Sequence, residues 1–298
     1  MSALLGIIAA PFLPGVINRV KAVMAGRKGQ PLLQAYYDLG KLLRKGAVYS
    51  RSTTWIFRVA PPVGLAATLI ALCLLPFGGR PGLLAFSGDL ILLAGLFAFA
   101  RFLTILAALD TASSFEGMGA SREAAFSALA EPALLLGLAV VARVGGDFSL
   151  TGMLGGMSYG TWTRVPAPLA LASATLFIVL LAENSRIPFD DPNTHLELTM
   201  VHEVMVLDHG GPDLAMIQYS AALKLYALGV LLADILIPVQ SADAWWGPAA
   251  SFGGVAALMA AVGLVESCMA RLRLIVVPRL LLGAAASSLV AFLLAVRP

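Results

Sequence analysis

Residues 183–203 read Glu183-Asn-Ser-Arg-Ile-Pro-Phe-Asp-Asp-Pro-Asn-Thr-His-Leu-Glu-Leu-Thr-Met-Val-His-Glu203 and lie between two long apolar runs. The stretch contains five carboxylates, one arginine and two histidines, in a chain that has only 17 acidic residues and three histidines. So many charges are costly next to lipid, because each of them loses its hydration there. We therefore expect this segment to face water, a partner protein or an internal polar cavity.

The chain around this segment has the composition of an integral membrane protein. Of its 298 residues, 59% are hydrophobic and 12% are charged, and the mean hydropathy is +0.87. Soluble domains have about 25% charged residues. The apolar runs are too numerous for one signal peptide, and residues 1–15 lack the basic leading region of a secretory signal. The net charge of +3 is small, and the basic residues are clustered. This distribution is typical of membrane topology and gives no indication of nucleic-acid binding.

Hydropathy predicts an all-α, polytopic membrane protein with about eight transmembrane helices in a single transmembrane domain, residues 1–298. Each apolar run is long enough to cross a bilayer as a helix, which takes about 17 to 25 residues. The predicted spans are residues 2–23, 60–77, 83–108, 124–144, 166–183, 214–238, 248–268 and 275–296.

The basic residues predict the orientation of these spans. The loop at residues 24–59 and its flanks hold nine of the 20 basic residues, and cytoplasmic loops carry an excess of Lys and Arg. We therefore expect this loop and the acidic loop at residues 184–213 to be cytoplasmic. Apolar residues at spacings of three and four within residues 32–43 predict an amphipathic helix at the membrane interface. That helix is expected either to anchor the loop to the membrane or to dock a cytoplasmic partner.

Ionisable residues inside spans are rare and often functional. Glu131 is the clearest case, and we expect its carboxyl group to be buried near mid-bilayer and to serve a proton relay. The alternative is a neutral glutamate that a neighbouring helix satisfies, or one near the membrane edge. Lys224 and Asp234 lie ten residues apart on another predicted span, which is about 15 Å along a helix. They cannot pair with each other, so each needs a partner on another helix or water.

A second charged cluster precedes Glu131 and consists of Asp110, Glu116, Arg122 and Glu123. It is expected to be either an ordinary solvated loop or a functional cytoplasmic site, and Ser121 is a candidate N-cap for the helix that follows. Glu266 ends a predicted span just before Arg271 and Arg273. An interfacial ion pair and a role in an ion pathway are both consistent with that position.

The sequence predicts no redox centre or metal site in this chain. Cys73 and Cys268 cannot supply the four or so ligands that iron–sulfur clusters and structural zinc need. His195, His202 and His209 are spaced by seven residues and could share a helix face, but a transition-metal site needs further convergent ligands. The chain also lacks a phosphate-binding loop and a nucleophile elbow, so we expect neither ATP-driven pumping nor serine hydrolysis.

Residues 182–190, Ala-Glu-Asn-Ser-Arg-Ile-Pro-Phe-Asp, resemble the Glu-x-x-Arg-x-Pro-Phe-Asp signature of the subunit 1 family of respiratory complex I. That family also includes the equivalent membrane subunit of energy-converting nickel–iron hydrogenases. Residues 26–29 and 38–43 are similar to its first cytoplasmic loop. After Asp190 the sequence is similar to the formate hydrogenlyase and hydrogenase-4 type, as are residues 110–123. The departure from the complex I pattern after Asp190 makes a quinone site less expected.

The resemblance implies a membrane anchor beneath a hydrophilic module that holds iron–sulfur clusters and a nickel–iron large subunit. It also implies neighbouring antiporter-like membrane subunits, and a location in the cytoplasmic (inner) membrane of a bacterium or archaeon. A polar path into the membrane would then be formed by Glu131, Glu183, Asp190, Glu197, Glu203 and Lys224. The loop would be organised by Arg186, through pairing with Glu183 or Asp190, and by Asp191. Secondary candidates for the path are Asp110, Glu123, Asp234 and Glu266.

These features lead to one expected function and two alternatives. The expected function is the ion-coupling membrane subunit of a hydrogenase complex, with no cofactor in this chain and no catalytic residue of its own. The first alternative is the quinone-site membrane subunit of respiratory complex I. The second is a stand-alone secondary ion transporter, a class that often shows inverted internal repeats. The sequence shows no such symmetry.

Overall fold

The computed structural model describes residues 2–190, 200–238 and 246–296. These residues form α-helices and loops, with one short 3-10 helix at Glu203–Val206 and no strand among them, so the all-α fold class is confirmed. The helices are α1 (Ser2–Ala9), α2 (Phe12–Met24), α3 (Gln34–Leu43), α4 (Trp55–Leu74), α5 (Asp89–Asp110), α6 (Ser114–Gly145), α7 (Leu150–Gly155), α8 (Tyr159–Arg164), α9 (Pro166–Glu183), α10 (Gly211–Leu236), α11 (Trp246–Cys268) and α12 (Val277–Val296).

Seven of the described helices are long and apolar enough to cross a membrane, namely α4, α5, α6, α9, α10, α11 and α12. The chain is therefore a multi-pass integral membrane protein, as the hydropathy predicts. Helix α9 has the predicted bounds, residues 166–183. Helix α6 is longer than predicted and begins at Ser114, so Ser121 lies inside the helix and does not cap it.

The first predicted span, residues 2–23, is two helices in the structure because Pro11 interrupts it. Proline has no N–H to donate and its ring clashes with the carbonyl group four residues earlier. Here the freed carbonyl oxygens find other donors. The Tyr219 hydroxyl donates to the Ile7 oxygen at 2.8 Å, and the Tyr36 hydroxyl donates to the Ile8 oxygen. Neighbouring helices can satisfy broken backbone bonds in this way within a membrane.

Helix α10 lies at the centre of the bundle and α12 at its edge. Of the apolar segment of α10, 67% is buried inside the chain, against 22% for α12. Helix α10 packs against α4, α9 and α11, whereas α12 packs mainly against α6 and α9. The residues of α10 that carry charge are therefore the ones best placed to meet charges from several other helices.

Helices α2 and α11 approach each other closely at Gly263. A Cβ atom there would lie 2.9 Å from the Val20 Cβ and 3.0 Å from the Ile17 carbonyl oxygen, so only glycine fits without a shift. This close approach brings the ends of the two helices together. The predicted helix within residues 32–43 is present as α3, next to α2 and α10.

Candidate functional site

Four charged side chains from four membrane-spanning helices meet inside the bundle. The Glu183 carboxylate of α9 lies 2.6 Å from the Arg101 guanidinium of α5 and 2.5 Å from the Lys224 amine of α10. The same guanidinium contacts the Glu131 carboxylate of α6 at 2.7 Å. We call Arg101, Glu131, Glu183 and Lys224 the central ion cluster. It unites three residues that the sequence predicts for the polar path.

Arg101 is a member of the central ion cluster that the sequence-based prediction missed. It is buried, and it joins the carboxylates of α6 and α9. The signal was present, since an arginine inside an apolar run is as unusual as a lysine there. The same criterion that singles out Lys224 would have selected it.

Glu131 is less buried than predicted. Its side chain is 42% exposed in this chain, so the expectation of a carboxyl group enclosed within the bundle is wrong for the isolated chain. The reason is the rotation of α6, which buries Ala130, Ala133 and Leu134. Glu131 lies about 100° around the helix from Ala130 and reaches the outer surface. Hydropathy cannot show which side of a uniformly apolar helix faces inward.

Two cavities adjoin the central ion cluster. The first, of about 20 Å³, is lined by Glu123, Ser185 and Asp190 among others. The second, of about 80 Å³, is lined by residues that include His202, Ser220 and Lys224. Arg101 and Glu183 line both cavities, so this ion pair forms part of the wall between them. Polar groups along such cavities are suitable partners for water.

Asp190 holds two later residues of the acidic loop. Its Oδ2 accepts hydrogen bonds from the backbone N–H groups of Val201 at 3.0 Å and His202 at 3.1 Å. Its Oδ1 lies 2.8 Å from the Arg271 guanidinium. Asp190 therefore fixes Val201 and His202, and its predicted titration in a polar path stays a prediction. Glu203 follows in the short 3-10 helix, whereas Asp191 and Glu197, with His195, lie outside the described residues.

Arg186 does not form the predicted ion pair with Glu183 or Asp190. Its guanidinium lies 3.6 Å from the Glu266 carboxylate of α11, which also contacts the Lys21 amine of α2 at 2.8 Å. Burial lowers the pKa of the Arg186 guanidinium, and the Glu266 charge opposes that shift. We call Lys21, Arg186 and Glu266 the peripheral clamp.

The clamp also corrects the expectation for Glu266, whose ion-pair partners are Lys21 and Arg186, from distant parts of the chain. Arg271, by contrast, pairs with Asp190. Sequence proximity suggested partners close by in the chain. The approach of α2 to α11 and the turn after α9 supply partners that are distant in sequence and closer in space.

The remaining candidates lie apart from the central ion cluster, except for Glu123. Asp110 accepts hydrogen bonds from the Thr54 backbone at 2.7 Å and the Thr54 hydroxyl at 2.9 Å, and so stabilises the start of α4. Asp234 accepts from the Ser251 hydroxyl of α11 at 3.0 Å, near the far end of α10. Glu123 is buried, lines the first cavity and faces His202.

The two described histidines have different environments and do not share a helix face. His202 precedes the 3-10 helix, whereas the His209 ring stacks on Phe57 with a centroid distance of 3.9 Å. Burial lowers the pKa of His209, and the charges of Asp213 and Asp208 oppose that shift. Among residues 2–190, 200–238 and 246–296, no three His, Cys, Asp or Glu side chains are grouped so as to hold a metal ion.

Residues 1–296 match the protein family described as NADH dehydrogenase. Formate hydrogenlyase subunit 4 of Escherichia coli (strain K12) is 31% identical over 293 residues, which is 94% of this chain and 92% of that protein. Hydrogenase-4 component C of the same organism is 30% identical over 241 residues, 81% of this chain and 75% of that one. A subunit of the NADH-quinone oxidoreductase of Burkholderia vietnamiensis (strain G4 / LMG 22486) is 24% identical over 217 residues, 69% of this chain and 60% of that one.

The fold is shared with a chain of the membrane-bound sulfane sulfur reductase (MBS), described as an archaeal respiratory membrane complex. The TM-score is 0.84 at 22% sequence identity, and the match covers 99% of this chain and 98% of that chain. The helical arrangement is therefore shared with a chain of that complex.

Proposed function

The chain belongs to the NADH dehydrogenase family, that of complex I subunit 1, and from this membership we propose that it is the membrane anchor and ion-coupling subunit of a membrane-bound hydrogenase complex. Its relatives are subunits of multi-subunit membrane complexes. The formate hydrogenlyase and hydrogenase-4 relatives are 31% and 30% identical, against 24% for the NADH-quinone oxidoreductase relative. This difference supports the hydrogenase branch over quinone reduction.

The observation that carries the proposal is the position of the central ion cluster between two cavities. Two unit charges about 4 Å apart attract each other by about 4 kcal/mol at an effective dielectric constant of 20. A proton on the Glu183 carboxylate removes its attraction to both Arg101 and Lys224. The cluster can therefore take up two arrangements, one with Glu183 charged and one with Lys224 released, and a bistable element of this kind suits coupling.

In this proposal the redox chemistry belongs to partner subunits. Iron–sulfur clusters and a nickel–iron centre would lie in a hydrophilic module on the cytoplasmic side, next to the acidic loop. The two cysteines of this chain, Cys73 and Cys268, are unpaired and lie on different helices. The exposed carboxylate of Glu131 is available to a neighbouring antiporter-like membrane subunit. The complex would reside in the cytoplasmic membrane of a bacterium or archaeon and move protons or sodium ions.

The composition of the purified complex tests the branch. We expect an affinity tag on this chain to recover a nickel–iron large subunit, iron–sulfur small subunits and antiporter-like membrane subunits. Hydrogen evolution from an artificial donor should then build an ion gradient across liposomes. Recovery of an NADH-oxidising module, with quinone reduction that an inhibitor blocks, would assign the chain to complex I. Ion transport by the isolated chain alone would assign it to the secondary transporters.

A Glu131→Gln variant tests whether the exposed carboxylate belongs to the ion path. We expect hydrogen evolution with the artificial donor to be retained and the number of ions moved per hydrogen to fall. The neutral amide cannot exchange a proton, although it still reaches Arg101. An unchanged ion-to-hydrogen ratio would remove Glu131 from the path.

A further inference from the structure

We propose that His202 is a proton-transfer residue that connects the two cavities by way of Glu123, around the Arg101–Glu183 wall. The proposal rests on the function proposed above and adds a residue to its ion path. The sequence gives His202 no role, since its three histidines do not suffice for a metal site, and the structure places it beside the second cavity and facing Glu123.

Arg101 makes a second connection necessary. Arg101 and Glu183 separate the cavities, and a guanidinium group does not release its proton in a protein. The Glu183 carboxylate is itself held by two cations, at 2.6 and 2.5 Å. Protonating Glu183 breaks two ion pairs, which switches the cluster between its two arrangements, whereas a path that carries the proton past this wall without that step costs less.

Glu123 and His202 provide such a path. Glu123 lines the first cavity and His202 lines the second. The His202 Nδ1 lies 4.0 Å from the Glu123 Oε2, and the two side chains are 30% and 12% exposed. That separation is about 1 Å longer than a hydrogen bond, so a small rotation of either side chain closes it. The Nδ1 is buried and has no hydrogen-bond partner among the described residues.

The backbone of His202 is fixed, while the Nδ1 of its ring has no hydrogen bond to the part of the chain that the structure describes. Asp190 accepts the His202 N–H at 3.1 Å and is itself paired with Arg271. A ring attached to a fixed backbone can swing without moving the loop. The charged groups that line the two cavities around this pair are Arg101, Glu183, Asp190 and Lys224.

The proton transfer balances in two steps. A proton leaves the Glu123 carboxyl group and binds the Nδ1 of the neutral His202 ring, which becomes an imidazolium next to a carboxylate. The ring then releases its other proton, from Nε2, into the second cavity and afterwards returns to its starting tautomer. One proton crosses, and an imidazole can do this near neutral pH whereas a guanidinium cannot.

A His202→Gln variant of the whole complex in liposomes tests the proposal. We expect hydrogen evolution from the artificial donor to persist and protons moved per hydrogen to fall at least about tenfold, the factor that ~1.4 kcal/mol produces. Added imidazole should restore part of the lost ratio, which it would not do for a purely structural histidine. His209→Gln, a histidine stacked on Phe57 that lines neither cavity, is the matched control and should keep the wild-type ratio.

A Glu123→Gln variant gives an independent test if the His202 variant does not assemble. The number of protons moved per hydrogen should fall to the same extent as in His202→Gln, and added imidazole should not restore it. The double variant should have the same ratio as either single variant, because the two residues act as one unit. A wild-type ratio in His202→Gln, or a loss that imidazole leaves unchanged, overturns the proposal.

A Lys224→Gln variant separates the two proposals. If it loses coupling while His202→Gln does not, the coupling function stands and the His202 path fails. If both variants keep the wild-type ratio, the coupling function fails as well. If the complex takes up sodium ions and the His202→Gln variant does so at the wild-type rate, the proton path fails and the coupling function stands.

Discussion

Glu183 and Glu266 are two carboxylates in nearly the same chemical situation, each held between one lysine and one arginine from other parts of the chain. Glu183 contacts Lys224 at 2.5 Å and Arg101 at 2.6 Å. Glu266 contacts Lys21 at 2.8 Å and Arg186 at 3.6 Å. The difference lies in their surroundings. Glu183 lines two cavities, whereas the Glu266 side chain is 0% exposed and lines neither of them.

The comparison shows that a buried ion pair does not reveal its role by its charges. Next to a cavity, water can replace a lost partner and protons can arrive and leave. In a closed environment the same pair can only hold helices together, because an unpaired charge there is strongly destabilising. We therefore assign coupling to the central ion cluster and anchoring to the peripheral clamp, which ties α2 and α11 to the turn after α9.

The largest expected effect is on stability, from Glu266→Ala. This change leaves Arg186, whose side chain is only 12% exposed, without its partner, and removing one partner of a buried pair costs about 3–5 kcal/mol. Lys21 is 24% exposed and can turn to water. The equivalent change at Glu183 should cost clearly less, because the adjoining cavities admit water to Arg101 and Lys224. Thermal denaturation of the two purified variants measures the difference. Asp38→Asn on the exposed side of α3 is the control, and equal losses at Glu183 and Glu266 would contradict the comparison.

A smaller effect is expected from Asp190→Asn. This variant tests whether Asp190 holds Val201 and His202 independently of the ion pairs of Glu183 and Glu266. An ionised acceptor contributes about 1.5–3 kcal/mol to a hydrogen bond, so the Val201 and His202 amides should exchange their hydrogens about tenfold faster or more. Hydrogen exchange read by mass spectrometry measures this. Asp110→Asn, which loosens the Thr54 amide instead, is the matched control. Unchanged exchange at residues 201–202 would show that Asp190 does not hold the loop.

His202, His209 and Arg101 show how much of the site can be predicted from the sequence. Charge inside an apolar run is enough to mark Glu183 and Lys224 as unusual, and the same signal was available for Arg101. The partner of Arg186 could not be predicted, since Glu266 is 80 residues away. It is brought near where the segment after α11 meets the turn after α9, with the Leu272 N–H donating to the Pro188 oxygen at 2.9 Å. Likewise, the spacing of seven between His202 and His209 suggested one helix face, but the 3-10 helix between them ends at Val206.

The fold was more predictable than the site. Hydropathy gives α9 with its bounds, because its ends coincide with the change from apolar to charged residues. It misses the first ten residues of α6, where small and charged residues resemble a loop although they pack against the 3-10 helix. It also passes over the break at Pro11. Whether proline interrupts a membrane helix depends on donors such as Tyr219, which lies more than 200 residues away in the chain.

His209 extends the comparison to a buried titratable group that has no ion-pair partner at contact distance among the described residues. Burial lowers its pKa below the unfolded value of about 6.5. The unfolded chain therefore binds more protons between the two pKa values, and stability falls as the pH drops below about 6.5, with a limiting slope of about 1.4 kcal/mol per pH unit. Melting temperatures from pH 8 to 5 should show this for the wild type and less for His209→Gln. A pH profile that the substitution leaves unchanged would exclude His209 as its source.

The smallest expected effect comes from an uncharged contact next to α2, the helix that carries Lys21 of the clamp. In Tyr219→Phe the Ile7 carbonyl oxygen loses its donor, and the loss of one neutral hydrogen bond costs about 1 kcal/mol. The melting temperature should fall by less than for Glu266→Ala. Tyr37→Phe, at an exposed position of α3, should have no effect. A fall in melting temperature as large as that of Glu266→Ala would mean that the contact at the Pro11 break, and not the ion pairs of the clamp, anchors α2.

The most direct test of the coupling role is the number of ions moved per hydrogen in a Glu183→Gln complex reconstituted in liposomes. The amide cannot hold Arg101 and Lys224 as a charged partner, and it cannot take up a proton. We expect hydrogen evolution from an artificial donor to continue while the ratio falls at least about tenfold, the factor given by ~1.4 kcal/mol, with Asp38→Asn at the wild-type ratio. A Glu183→Gln complex that evolves hydrogen and moves ions at the wild-type ratio would contradict the coupling role.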